Sequence, residues 1–217
     1  MTDKTRSLFL IGATGRLGGR LLAEALGRGW AVTALVRDPA RLAVRHPALR
    51  VVRGDVRDRP TLEALLPGHD AVVSALGTRR GQEPYETLSS GMAALAAAME
   101  AVGPRRLVAV AAAGILQADA QTLRRDMPGY PAAFRSGSAE HLKAWQTLQA
   151  SSLDWTIVCP PELVEGDRDQ PLVVQPDYLP AGPKRVSMEA LAKLMITLLQ
   201  EEAHHGVRLG MSNAPER

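Results

Sequence analysis

Leu8-Phe9-Leu10-Ile11-Gly12-Ala13-Thr14-Gly15-Arg16-Leu17-Gly18-Gly19 is an apolar run that delivers a glycine-rich turn, and Leu21-Leu22-Ala23-Glu24-Ala25-Leu26 carries the chain on as a helix. Strand before and helix after are the context that spaced glycines need to form a dinucleotide turn. Gly12 permits the tight bend, Gly15 lets the backbone approach a pyrophosphate, and Gly18 lets helix and strand pack closely. The phosphates then lie at the helix N-terminus. Gly12, Thr14, Gly15, Arg16 and Leu17 are the candidate contacts in this stretch.

The next strand bears on which dinucleotide is taken. Trp30-Ala31-Val32-Thr33-Ala34-Leu35-Val36 ends in Arg37-Asp38-Pro39-Ala40-Arg41, about 20 residues past the glycines, where the ribose-binding residue of such folds lies. An NAD enzyme usually carries an acid there. Arg37 stands at that place instead, with Arg41 a helical turn on, and a guanidinium can fork onto a 2′-phosphate that a carboxylate would repel. Asp38 reads as the cap of a short helix begun by Pro39. The expected cofactor is NADP(H).

Beyond these motifs, composition argues for one domain. With 217 residues and 46% hydrophobic content, the chain can bury a good core, and no apolar run approaches a bilayer span. Met1-Thr2-Asp3-Lys4-Thr5-Arg6 leads into a strand rather than a cleavable apolar segment, so a cytoplasmic protein is expected. The lone Cys159 cannot form an intramolecular disulfide and reads as a buried strand end. Net charge is +3 with a sequence pI near 9.3. The arginines are nevertheless scattered among acids with few aromatics, which excludes a nucleic-acid patch. No metal site is expected.

Strands and helices alternate along the chain. Strands are expected at 49–53, 70–75, 106–110 and 154–159, and helices at 59–66, 88–102, 138–150 and 188–200. This rhythm predicts an α/β fold, a Rossmann-type doubly wound parallel sheet with helices on both faces, in a single domain spanning 1–217. Prolines punctuate the chain from Pro160 onward, and 160–217 is expected to complete the substrate side. Gln117 to Ser136, containing Met127-Pro128-Gly129-Tyr130-Pro131, is long enough to be a lid or binding loop.

Ligands in such sheets bind beyond the carboxyl ends of the strands. Gly54-Asp55-Val56 follows the third strand, placing Asp55 and Val56 at the adenine edge. Leu76-Gly77-Thr78-Arg79 follows the fourth, where a glycine lets backbone run close to ribose and pyrophosphate. The catalytic apparatus departs from the dehydrogenase pattern. A tyrosine four residues before a lysine would present both from one helix face, yet Tyr85, Tyr130 and Tyr178 are followed at that spacing by Ser89, Phe134 and Gly182. His141 and Trp145 occupy the corresponding helix positions. Val110-Ala111-Ala112-Ala113-Gly114 carries no hydroxyl where a serine is usual.

These residues together resemble the flavin reductase and biliverdin-IX-beta reductase family of atypical short-chain dehydrogenases. The likeness runs through Gly12-Ala13-Thr14-Gly15, Leu35-Val36-Arg37-Asp38 with Arg41, Gly54-Asp55-Val56, Asp70-Ala71-Val72 and Leu76-Gly77-Thr78-Arg79. It continues through His141, Pro160-Pro161, Gly182-Pro183 and Arg185-Val186. The resemblance implies a monomeric NADPH-dependent reductase with a shallow pocket for a planar acceptor, flavin or quinone; neither nucleic acid nor membrane is expected as a partner from the composition. It implies His141 and Glu162 as catalytic candidates and Ala112 and Pro161 as pocket residues. Ala112 replaces the family's serine and Glu162 its histidine. An ionised Glu162 would repel the propionates of biliverdin, making that substrate the poorer one. Flavin reduction draws mainly on stacking and alignment. Two other classes fit the same residues: a non-catalytic NADP(H) sensor that presents a surface to a protein partner, and an epimerase that uses bound cofactor.

Overall fold

The computed structural model describes residues 6–78, 86–167, 169–201 and 203–214. Its strands are β1 (Ser7–Ile11), β2 (Ala31–Val36), β3 (Leu49–Arg53), β4 (Ala71–Ser74), β5 (Arg106–Val110), β6 (Asp154–Cys159), β7 (Glu162–Val164), β8 (Leu172–Pro176), β9 (Arg185–Ser187) and β10 (Val207–Asn213). Its helices are α1 (Arg16–Gly27), α2 (Arg59–Leu65), α3 (Thr87–Val102), α4 (Arg135–Ala150) and α5 (Met188–Leu198). Eight strands form one sheet in the order β3-β2-β1-β4-β5-β6-β10-β8, parallel except for β8, which runs antiparallel to β10. β7 and β9 pair separately. The strand order reverses between β1 and β4, and at such a switch point the connections leave a crevice beyond the strand ends.

Alternation along β1 shows how the sheet is covered on both faces. Leu8 and Leu10 join Leu21, Leu22 and Ala25 of α1 and Leu191 and Met195 of α5. Phe9 and Ile11 join Leu62 of α2 and Met92, Leu95 and Met99 of α3, with Leu148 of α4 in the same cluster. Side chains one residue apart on a strand point to opposite faces, so a strand buried on both sides reads as continuously apolar. Asp38 caps its short turn as expected, its Oδ1 accepting from the Ala40 N–H at 3.1 Å. Asp58 and Ser187 cap α2 and α5 by the same chemistry.

The carboxyl-terminal region differs from expectation. β10, unmarked by sequence pattern, lies inside the sheet between β6 and β8. Its Arg208 is 4% exposed. That guanidinium is held by Asp177 at 2.6 Å, by the Ile115 carbonyl, and by the Trp145 ring centroid at 3.8 Å. A buried charge survives only when paired and hydrogen-bonded. All four expected helices also shift by a turn or less: α2 ends at Leu65, α3 starts at Thr87, α4 starts at Arg135, and α5 ends at Leu198. Cys159 is fully buried as expected, and burial pushes its thiol far above the ordinary range.

Candidate functional site

Two cavities open beyond the carboxyl ends of the strands. The first, about 210 Å³, is a cleft lined by Gly12, Thr14 and Gly15 of the turn, Arg37 and Arg41 past β2, Gly54 and Val56 past β3, and Leu76, Gly77 and Thr78 past β4. Gly12 takes φ +86°, and a Cβ there would stand 2.7 Å from the Ala75 carbonyl oxygen. A Cβ on Gly18 would overlap the Gly12 carbonyl, so α1 can press against the turn only through glycine. The Gly15 N–H donates to the Gly12 carbonyl at 2.9 Å, closing the turn immediately before α1. First-turn N–H groups of a helix have no intrahelical acceptor and face an anion favourably.

Arg37 and Arg41 make no side-chain hydrogen bond or close ion pair among the described residues, which leaves both guanidinia available at the cleft rim. The carboxylate nearest in sequence logic is occupied. Asp55 holds the Arg57 guanidinium at 2.7 Å, and that hydrogen bond, supported by the charges of Arg57 and Arg37, holds its pKa at about 2. Glycine cradle and rim cations together fit the phosphates of a dinucleotide.

Several sequence candidates lie elsewhere. The Leu17 side chain is in the core beneath α1, so only its backbone belongs to the phosphate turn. Arg16 points away from the cleft to Glu165 at 3.2 Å. Asp55 turns to Arg57 and does not line the cleft, although its neighbours Gly54 and Val56 do. Arg79 lies outside the described residues, as does Tyr85.

The second cavity, about 650 Å³, lies beyond β5 and β6 and gathers Ala112, Pro161 and Glu162, together with Tyr130, Phe134, Leu179, Arg124 and Lys184. The last five were not named as site residues. Their signal was the long 117–136 connection, which folds across the strand ends and supplies three of them. The first turn of α4 packs against residues that line each cavity. A Cβ on Gly137 would stand 2.8 Å from Thr78 Oγ1, and one on Gly114 would overlap the Tyr130 hydroxyl and Ser138 Oγ. Ser138 is 2% exposed and its hydroxyl has no hydrogen-bond partner.

His141 does not line this cavity. It is 7% exposed, and its Nδ1 is buried without a partner. Burial pulls the imidazole pKa from 6.5 down to about 4, with only the adjacent Glu140 carboxylate opposing the shift. Burial thus favours the uncharged ring at neutral pH, and its place off both cavity walls sets it apart from the catalytic role that the resemblance implies. The pH dependence follows by linkage. The unfolded chain binds this proton near pH 6.5 and the folded chain only near pH 4, so stability is complete above the upper value and falls as pH drops through the window. The full shift corresponds to about 3 kcal/mol. Urea midpoints measured from pH 7 to pH 4 should fall more steeply for the wild type than for His141→Leu. Parallel curves would show that the ring is solvated.

Glu162 also differs from expectation. Its side chain is 65% exposed and faces Arg185 at 3.6 Å. The repulsion expected against carboxylate-bearing substrates is therefore offset by a neighbouring cation and by water. Among the described residues no group of His, Cys, Asp and Glu side chains could hold a metal, and no helix is long and apolar enough to cross a membrane.

Residues 12–202 match the model of a family described as NAD(P)H-binding, and the chain belongs to that family. A Bacillus subtilis (strain 168) protein named YwnB, of uncharacterised function, is 31% identical over 201 residues, covering 90% of this chain and 91% of its own. A Streptomyces griseus protein named as a (4-alkanoyl-5-oxo-2,5-dihydrofuran-3-yl)methyl phosphate reductase is 33% identical over 150 residues, 68% of this chain and 50% of its own. Among solved structures, a Bacteroides thetaiotaomicron protein provisionally named an epimerase superposes with a TM-score of 0.87 at 25% identity, covering 99% of this chain and all of that one.

Proposed function

We propose that the protein is an NADPH-dependent reductase that passes hydride to a flat conjugated acceptor, a flavin or a quinone. The observation that carries this reading is the pairing of a phosphate-cradling cleft, with two free guanidinia at its rim, and a largely apolar cavity beside it on the same edge of the sheet. Bound NADPH supplies the hydride. The chain's own residues bind and align: the Gly12–Gly15 turn and the start of α1 hold the pyrophosphate, and Arg37 with Arg41 holds the 2′-phosphate. The Tyr130 and Phe134 rings and the Pro160-Pro161 corner offer flat apolar walls to an acceptor ring. Alignment of two bound rings supplies most of what such a transfer needs.

The site lacks the residues that would run alcohol oxidation. Ala112 carries no hydroxyl, and α4 has no tyrosine–lysine pair. A flat acceptor that takes its proton from water needs neither. The relative named as a reductase of an unsaturated lactone supports reduction of a conjugated small molecule as the class of reaction. Oxidation of NADPH and of NADH, followed at 340 nm with FMN, riboflavin and a naphthoquinone, tests the reading. Steady turnover with kcat/KM favouring NADPH is expected. Tight NADPH binding with no turnover of any acceptor would overturn the reductase and favour a cofactor-sensing protein.

A further inference from the structure

We propose that the acceptor cavity contains a phosphate subsite, in which Arg124 and Lys184 hold the phosphate monoester of an acceptor whose ring lies against the apolar walls. The inference deepens the reductase reading and rests on it for the ring. It is carried by the charges that line the cavity. Three alanines, Gly114, two prolines, two leucines, Tyr130 and Phe134 leave only Arg124, Glu162 and Lys184 as ionised groups on its walls.

Each of these charges is accounted for differently. Glu162 has Arg185. The carboxylate nearest Arg124 in sequence is Asp126, and it lies 3.4 Å from Arg125, so Arg124 has no ion-pair partner among the described residues. Its backbone is fixed, the N–H donating to the Leu116 carbonyl at 2.8 Å. Lys184 is likewise without a side-chain partner there, while its carbonyl accepts from the Glu162 N–H at 3.0 Å and anchors it at the cavity mouth. Two cations from separate segments against one carboxylate, itself facing Arg185, leave the cavity walls with net positive charge, which favours an anionic substituent.

A carboxylate would satisfy one of them. A phosphate monoester carries close to two negative charges at neutral pH and three acceptor oxygens, enough for a forked guanidinium and an ammonium together. This also reverses the substrate preference drawn from Glu162 in the sequence. The cavity selects for an acidic substituent on the acceptor.

The test is flavin fluorescence quenching by the whole protein, with FMN and riboflavin as probes that share a ring and differ in the phosphate. Saturating NADP+ is present throughout, so that Arg37 and Arg41 are occupied and cannot hold the FMN phosphate. FMN should bind about tenfold or more tightly than riboflavin at low salt, the range for one or more charge-assisted hydrogen bonds, and the gap should narrow as salt rises. Arg124→Gln and Lys184→Gln should each weaken FMN and leave riboflavin unchanged, and the double variant should bring the two flavins level. Equal affinity in the wild type, or an equal loss for both flavins in the variants, would overturn the subsite. Failure of both flavins to bind would overturn the planar-acceptor reading and the subsite with it. Selective FMN binding without NADPH oxidation would support the subsite while removing the reductase.

Discussion

Gly15→Val should abolish NADPH binding, a loss of at least about 100-fold, in a protein that still folds. Three glycines shape the phosphate turn, and only Gly15 separates binding from folding. Gly12 holds a positive φ against the Ala75 carbonyl, and a Cβ on Gly18 would overlap the Gly12 carbonyl, so a side chain at either would break the turn. Gly15 has φ −84° and ψ 167°, extended backbone that a β-branched residue accepts. A Cβ there would stand 3.2 Å from the Gly12 carbonyl oxygen, tight by only a few tenths of an ångström. The branched methyl groups would then project into the space where phosphate oxygens meet the α1 N–H groups. Two such bonds at about 1.5 kcal/mol each account for the loss. Circular dichroism and thermal unfolding would report the fold, and calorimetric titration the affinity. Retained binding in a folded variant would move the nucleotide out of this turn.

Arg37→Ala should cost NADPH about 10- to 150-fold in affinity while NADH changes little, because one charge-assisted bond to a 2′-phosphate is worth about 1.5–3 kcal/mol. The structure favours the upper part of that range. Among the described residues Arg37 has no close ion-pair partner to give up on binding, and Asp55, read from the sequence at the adenine edge, is tied to Arg57. Equal losses for both cofactors would show that Arg37 shapes the cleft rather than reading the extra phosphate.

Much of the cofactor half could be read from sequence because its signals are local. Leu8 to Ile11 is continuously apolar, the glycines follow at once, and Asp38-Pro39 caps its turn through a contact two residues long. Leu17, Arg16 and Asp55 were misplaced because a motif specifies a backbone path and not the direction of each side chain. Leu17 falls on the buried stripe of α1, and both charged groups find partners off the cleft. His141 was misread for the same reason: nothing in its neighbours announces that its face of α4 is buried.

The acceptor half was harder to read because its determinants are distant in sequence. Val207-Arg208-Leu209-Gly210-Met211-Ser212-Asn213 contains an arginine, a glycine, a serine and an asparagine, a poor strand pattern by propensity. It becomes a buried strand because Asp177, the Ile115 carbonyl and Trp145 satisfy Arg208 from three other segments. The same holds for the cavity, whose charged groups come from positions 124, 162 and 184.

The position of β10 also decides what a shortened chain would expose. It pairs with β6 on one side and β8 on the other, yet it follows both in the chain. Removing the residues from Val207 onward would undo both ladders at once and leave β6 as a bare parallel edge, of the kind that invites aggregation.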